Sequence, residues 1–142
     1  MELRDIMTVN IESVGRNSSL EEAARLMKEY NVGAIPVCEG DNIIGIVTDR
    51  DIVLRGAADG DKLSWGTCGD VMTSNLITGT PEMDVHEAAR IMADHQVRRL
   101  PVVENGKLVG IVALGDLAVD SKFINEAGDA LNDISKPSKP SM

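Results

Sequence analysis

Aromatic residues are almost absent from this 142-residue chain: one Tyr, one Trp and one Phe. Three rings, Tyr30, Trp65 and Phe123, do not make a platform for stacking bases. Positive charge is also scarce. The formal net charge is −9, and no basic stripe interrupts the acidic background, so nucleic acid is not an expected partner. A few converging cations still leave room for a small anion. No apolar run approaches the ~20 residues that a membrane span needs. The segment Met1-Glu-Leu-Arg-Asp5 lacks the apolar stretch of a secretory signal, so no membrane association and a cytoplasmic location are expected. Only two cysteines occur, Cys38 in a predicted buried strand and Cys68 in a connector. Two reduced thiols in a cytosolic protein is the plain reading, with a disulfide or an intersubunit bridge at Cys68 as the other. No paired Cys or His has metal-ligand spacing, so no metal site is expected.

What the chain does have is a repeat. Asp5-Ile-Met-Thr8 returns as Asp70-Val-Met-Thr73, and Glu22-Ala-Ala-Arg25 as Glu87-Ala-Ala-Arg90. Pro36-Val37 returns as Pro101-Val102, and Gly45-Ile-Val47 as Gly110-Ile-Val112. The offset is 65 residues throughout, and 17 of the 51 positions from Asp5 to Arg55 are identical. A period this long means two copies of one folding unit, each too small to bury a large core alone.

Each copy reads alike. A short opener (2–8; 67–73) ends in Asp-Ile/Val-Met-Thr, and a brief extended piece follows. Ser19 with Glu22, and Asp84 with Glu87, have capping-box spacing at a helix start. Leu20, Ala23, Ala24 and Met27, and then Val85, Ala88, Ala89 and Met92, form one apolar helix face per copy. A hairpin follows, Ala34–Cys38 with Asn42–Val47 and Leu100–Val103 with Lys107–Val112, the second turning on Asn105-Gly106. A second helix opens at Thr48–Asp51 and its counterpart at Leu114. Phe123, Ala127, Ala130, Leu131 and Ile134 sit at helical spacing, which predicts a C-terminal amphipathic helix over 121–134; 135–142 reads as a disordered tail. The domain reading is 1–66 for the first repeat with its connector and 67–120 for the second.

Three motifs in fixed order and duplicated, Asp-Ile/Val-Met-Thr, Ile/Leu-Pro-Val and Gly-Ile-Val before a helix start with Asp, carry a resemblance. The chain resembles the tandem cystathionine β-synthase (CBS) domain pair, the Bateman module, over roughly residues 1–120. The resemblance implies a mixed α/β (α+β) fold. Each repeat would be a small three-stranded sheet with two helices, and the two would be related by a pseudo-two-fold axis. It further implies an adenosine nucleotide or related adenosyl ligand (AMP, ADP, ATP or S-adenosylmethionine) in a cleft between the repeats. A homodimer and an effector protein as partner would go with it, and no cofactor is required.

The family signature Gly-h-x-Thr/Ser-x-x-Asp, with h apolar, is complete in the first copy: Gly45-Ile-Val-Thr48-Asp49-Arg50-Asp51. By resemblance Asp51 would accept the ribose hydroxyls and Thr48 would donate to a phosphate. The same spacing also describes an N-cap with an acidic first turn. In the second copy Asp116 remains but Ala113 replaces the Thr. That copy gains Arg98-Arg99 before Leu100-Pro101, where the first has Gly33-Ala34 before Ile35-Pro36. In the γ subunits of AMP-activated kinases, basic residues at this place contact phosphates, which makes Arg98 and Arg99 candidates; an ion-paired surface loop is the alternative. Ala34-Ile35-Pro36 and Leu100-Pro101 fit the family's base-binding position, and both prolines equally suit sheet-edge strands. No nucleophile motif is present, and His86 and His95 are isolated, so no enzyme is expected. The other function class is a ligand-free interaction module, a dimer serving stress or redox responses.

Overall fold

The computed structural model describes residues 1–58 and 63–119. The C-terminal helix and tail expected from the sequence lie outside the described residues. The chain forms two compact units, and these do not coincide with the sequence repeats. Among the described residues, one unit is the segment Glu12–Leu76; the other joins Met1–Ile11 to residues 77–119. Each opener therefore packs with the hairpin of the other copy.

In the unit Glu12–Leu76, α1 (Leu20–Tyr30) leads to β1 (Ala34–Glu39) and β2 (Asn42–Thr48). Ser19 caps α1 by accepting from the Glu22 amide at 3.0 Å. Asn31, in the left-handed region (φ 53°), ends the helix, and the Val32 N–H returns to the Met27 carbonyl at 3.0 Å. Leu20, Ala23 and Met27 are buried, whereas Ala24 is exposed, so the apolar stripe of α1 is narrower than its spacing predicts. The hairpin turns at Gly40 (φ 60°), the one position there that needs a left-handed residue. After β2 comes α2 (Asp49–Asp51), which widens into π-helical turns over Ile52–Ala57, closed by the Ala58 amide on the Val53 carbonyl at 3.0 Å. The unit is completed by α3 (Cys68–Val71), the helical turn of the second opener.

The other unit repeats this plan with α4 (Val85–His95), β3 (Arg99–Glu104), β4 (Lys107–Ala113) and α5 (Leu114–Val119). Asp84 caps α4 through the His86 amide at 3.0 Å, one residue short of the reach the capping-box spacing predicts. Val85, Ala88, Ala89 and Met92 are all buried. The β3–β4 turn places both Asn105 (φ 53°) and Gly106 (φ 81°) in the left-handed region, as a tight Asn-Gly hairpin requires. Both hairpins carry a bulge at the same place, between Val37 and Cys38 and between Val102 and Val103.

Each hairpin is widened by single bridges on its two sides. Val14 joins Val37 in parallel and Thr73 joins Ile46 antiparallel; Gly79 joins Val102 and Thr8 joins Ile111 in the same senses. The crossed opener supplies the second bridge in both units. Its docking bonds are equivalent: Cys68 N to Ser18 O at 2.8 Å and Gly69 N to Arg16 O at 2.8 Å in one unit, Leu3 N to Met83 O at 2.9 Å and Arg4 N to Pro81 O at 3.1 Å in the other. The opener's Asp starts its helical turn, with Asp5 Oδ2 accepting from Glu2 N at 3.0 Å and Asp70 Oδ2 from Thr67 N at 2.9 Å. No helix among the described residues is long and apolar enough to cross a membrane.

The two cores show how the copies diverged. Leu3 is fully buried in one, and its counterpart Cys68 is fully buried in the other. Gly79 stands near Leu3, where an added Cβ would lie 2.9 Å from Leu3 Cδ1 and 3.0 Å from Leu100 Cδ2. Its counterpart Val14 shares a core with the smaller Cys68. A large opener residue with a glycine, and a small one with a valine, fill equivalent space.

Candidate functional site

The signature Gly45–Asp51 spans the end of β2 and the start of α2. Thr48 is extended (φ −107°, ψ 163°) and caps the helix. The Asp51 N–H donates to Thr48 Oγ1 at 3.0 Å, and the Thr48 N–H donates to Asp51 Oδ2 at 3.0 Å. This is a reciprocal capping box, so the capping reading of the spacing holds. Two further groups converge on Asp51. Thr73 Oγ1 donates to Oδ2 at 3.5 Å, and Arg55 Nη1 lies 3.8 Å from Oδ1. Asp51 is only 9% exposed and is the buried charged residue among those described.

The chemistry that remains follows from atom counting. Oδ2 of Asp51 spends both lone-pair directions on the Thr48 amide and the Thr73 hydroxyl. Oδ1 has only the longer ion pair and keeps acceptor capacity. The Thr48 hydroxyl accepts from Asp51 N and retains its O–H for donation. Gly33 receives the Asp49 amide at its carbonyl (3.0 Å), and a Cβ added there would stand 3.2 Å from Asp49 Oδ2. Any larger residue at Gly33 crowds Asp49.

The other unit has half of this arrangement. The Ala113 N–H donates to Asp116 Oδ2 at 2.8 Å, and Ala113 has no hydroxyl to complete the box. The Leu114 amide donates to the Arg98 carbonyl at 2.9 Å, as Asp49 does to Gly33. Arg98 is exposed and Arg99, which opens β3 opposite Ala113, is partly so. Among the described residues no ion pair holds either guanidinium. An acid beside a glycine in one unit is thus an apolar residue beside an arginine in the other.

The segments assigned to base binding are mostly core. Ile35 is 2% exposed and pairs with Val47; Leu100 is fully buried and pairs with Val112. Pro36 and Pro101 are buried as well, and their carbonyls accept from Val14 N at 3.0 Å and Gly79 N at 2.9 Å. The missing proline N–H is no loss there, because each bridge uses the carbonyl. Of these five residues only Ala34 has a partly exposed side chain. Gly45 is buried beneath Met72.

Sequence reasoning missed Thr73 and Arg55. Thr73 belongs to a motif present in both copies, but its place beside Asp51 depends on the crossed opener. Arg55 has Asp120 as its sequence counterpart, and that departure was the available signal. The thiols are free and buried. Burial pushes the Cys68 thiol up to about 11, and Cys68 Sγ lies 3.6 Å from the Ser19 carbonyl. Cys68 is a packing residue, out of reach of an intersubunit bridge while the core is intact. His86 and His95 are exposed on α4, and no cluster of metal-ligating side chains occurs among the described residues.

Known proteins share this plan. CBS domain-containing protein YhcV of Bacillus subtilis is 47% identical over 133 residues, 94% of each chain. The crystal structure of Hypoxic Response Protein I with two coordinated zinc ions superposes with a TM-score of 0.77 at 37% identity, over 84% of this chain and 98% of that one. The structure of CBSX2 in complex with AMP superposes with a TM-score of 0.75 at 27% identity, over 87% and 98%. The CBS domain model matches residues 3–57 and again 68–119, each stretch an opener, a hairpin and its helices. The chain therefore belongs to the CBS domain family and carries the domain twice.

Proposed function

We propose that this CBS pair is a regulatory module that binds an adenosine nucleotide or related adenosyl compound through Thr48 and Asp51 and signals its occupancy to a partner chain. The observation that carries the reading is Asp51, a nearly buried carboxylate with one oxygen committed to the fold and the other available. A ribose hydroxyl donates to Oδ1, and the Thr48 O–H donates to a phosphate oxygen. The AMP complex of a relative with the same fold supports adenosine as the ligand class. Arg98 and Arg99 hold an anion in the other unit, where Asp116 is the acceptor without its hydroxyl partner. Ala34 and the main chain of Ile35–Pro36 and Leu100–Pro101 supply contacts to the base. The ligand acts through its different affinity for two states of the module; no reaction is part of the reading.

Thermal shift and calorimetry with AMP, ADP, ATP, S-adenosylmethionine and NADH test this. Ligand at ~100 times its dissociation constant adds ~2.7 kcal/mol to stability. No heat and no shift with any of the five overturns the reading. The second reading, a homodimerising interaction module in stress responses, is favoured by the apolar exposure of Val53 (59%), Leu54 (44%) and Trp65 (64%), and by a relative named for hypoxic response. Homodimer formation is part of both readings, and sedimentation showing a monomer at tens of micromolar counts against it. A dimer indifferent to all five compounds supports the second.

A further inference from the structure

We infer that Arg55 couples the occupancy of Asp51 to the seating of the crossed segment Val71–Thr73. The inference rests on Asp51 Oδ1 being the ribose acceptor. Arg55 is four residues after Asp51, and its guanidinium does two things at once. Nη1 donates to the Val71 carbonyl at 3.1 Å and the Met72 carbonyl at 3.3 Å, at the C-terminal end of α3, and it lies 3.8 Å from Asp51 Oδ1. One NH2 group, with two hydrogens to give, thus faces three acceptors. The segment it holds touches the same carboxylate from the other side through Thr73 Oγ1, and Thr73 is locked to Ile46 by bonds of 2.8 and 2.9 Å.

A hydroxyl donating to the open lone pair of Oδ1 draws on the same negative charge as Arg55, and so competes with it. When the hydroxyl takes that charge, Nη1 is left to the two carbonyls, and the last turn of α3 is held more tightly. Helix C-terminal carbonyls carry partial negative charge, so they retain the cation that the carboxylate gives up. Arg55 needs no contact with the ligand; it is a positioning residue that reads Asp51. Its sequence counterpart Asp120 carries the opposite charge, so the device is not duplicated in sequence.

Amide hydrogen exchange at Ile46, Met72 and Thr73 reads the seating, because Met72 and Thr73 donate from the segment to Cys68 and Ile46 and the Ile46 amide donates back to Thr73. In wild type, saturating AMP slows exchange at these amides by about tenfold, the scale of one charged hydrogen bond. Arg55→Gln binds AMP about twofold more tightly, having lost the competitor for Oδ1. Its three amides no longer respond to AMP. Slowing of equal size in wild type and Arg55→Gln overturns the inference and leaves ligand binding intact. A flat calorimetric titration of wild type with AMP overturns the ribose reading, and this inference with it. A ligand-free arm decides independently. Asp51→Asn, which removes the competing carboxylate charge, should slow Thr73 exchange and Arg55→Gln should speed it, with Asp51→Asn having no effect in the Arg55→Gln background. Multiplying effects show that the two residues act separately and overturn the coupling.

Discussion

Met72 fills the space in which a side chain at Gly45 would begin. A Cβ added at Gly45 would lie 2.5 Å from Met72 Sδ and 3.0 Å from the Thr73 carbonyl oxygen. Gly110 stands under Met7 in the same way. The Met of one repeated motif and the Gly of another are thus two halves of one contact, made crosswise between the copies.

Gly45→Ala should therefore cost about 1–3 kcal/mol by overpacking, as should Gly110→Ala. Met72→Ala in the Gly45→Ala background should recover part of the loss, and Met7→Ala should recover none of it. Urea denaturation of the four proteins measures this. The Thr73 carbonyl cannot move without breaking its bond from the Ile46 amide, so recovery stays incomplete.

The Leu3–Gly79 and Cys68–Val14 exchange gives a second prediction. Gly79→Val alone should destabilise by about 1–3 kcal/mol, because the side chain meets Leu3 and Leu100. Adding Leu3→Cys should restore much of it, by recreating the combination the other core already contains. Equal melting temperatures for the single and double variants would count against this account.

Asp51→Asn should weaken binding of the best ligand by about tenfold to a hundredfold, the value of one charge-assisted hydrogen bond of ~1.5–3 kcal/mol. The amide keeps an acceptor for the Thr48 N–H, so the melting temperature should change little. Asp51→Ala is expected to lose stability as well, about 0.5–2 kcal/mol for the cap. Asp116→Asn is the control: with Ala113 in place of the hydroxyl, its effect on affinity should be several-fold smaller. Calorimetry showing equal losses at the two positions would refute a dominant site at Thr48–Asp51.

The buried Cys68 thiol makes stability depend on pH in the alkaline range. Burial holds it at about 11 in the folded chain, above the ordinary thiol value of 9.0, so above pH 9 the unfolded chain ionises while the folded one does not. The contribution is complete below pH 9 and is lost as pH rises through about 11. Cys68→Ala should be less stable at neutral pH, because it leaves a cavity, but its melting temperature should fall less steeply between pH 9 and 11. Parallel curves for the two proteins would exclude the thiol as the cause.

Much of this fold is written locally. Helix starts at Ser19 and Asp84, the Asn105-Gly106 turn and the duplicated Val-rich hairpins depend on residues a few positions apart, and such signals survive in sequence. The Thr48–Asp51 box is of the same kind. The crossing of the openers is not, because both copies of Asp-Ile/Val-Met-Thr are compatible with both hairpins and the pattern names no partner. The convergence of Thr73 and Arg55 on Asp51 inherits that ambiguity. Ile35 and Leu100 illustrate the converse: motif membership suggests a ligand slot, whereas both side chains lie in the cores, in strands buried at successive positions.

The crossed openers also order events in time. As the chain leaves the ribosome, the unit Glu12–Leu76 has all its parts once Leu76 has emerged, whereas Met1–Ile11 must wait for the chain beyond Ile77. At ~5–20 residues per second, those first eleven residues spend several seconds without their final neighbours. One unit is nested inside the other along the chain, so its parts are all made before Leu3 can meet Met83. Once the inner unit is folded, less flexible chain remains in the loop that the outer unit has to close.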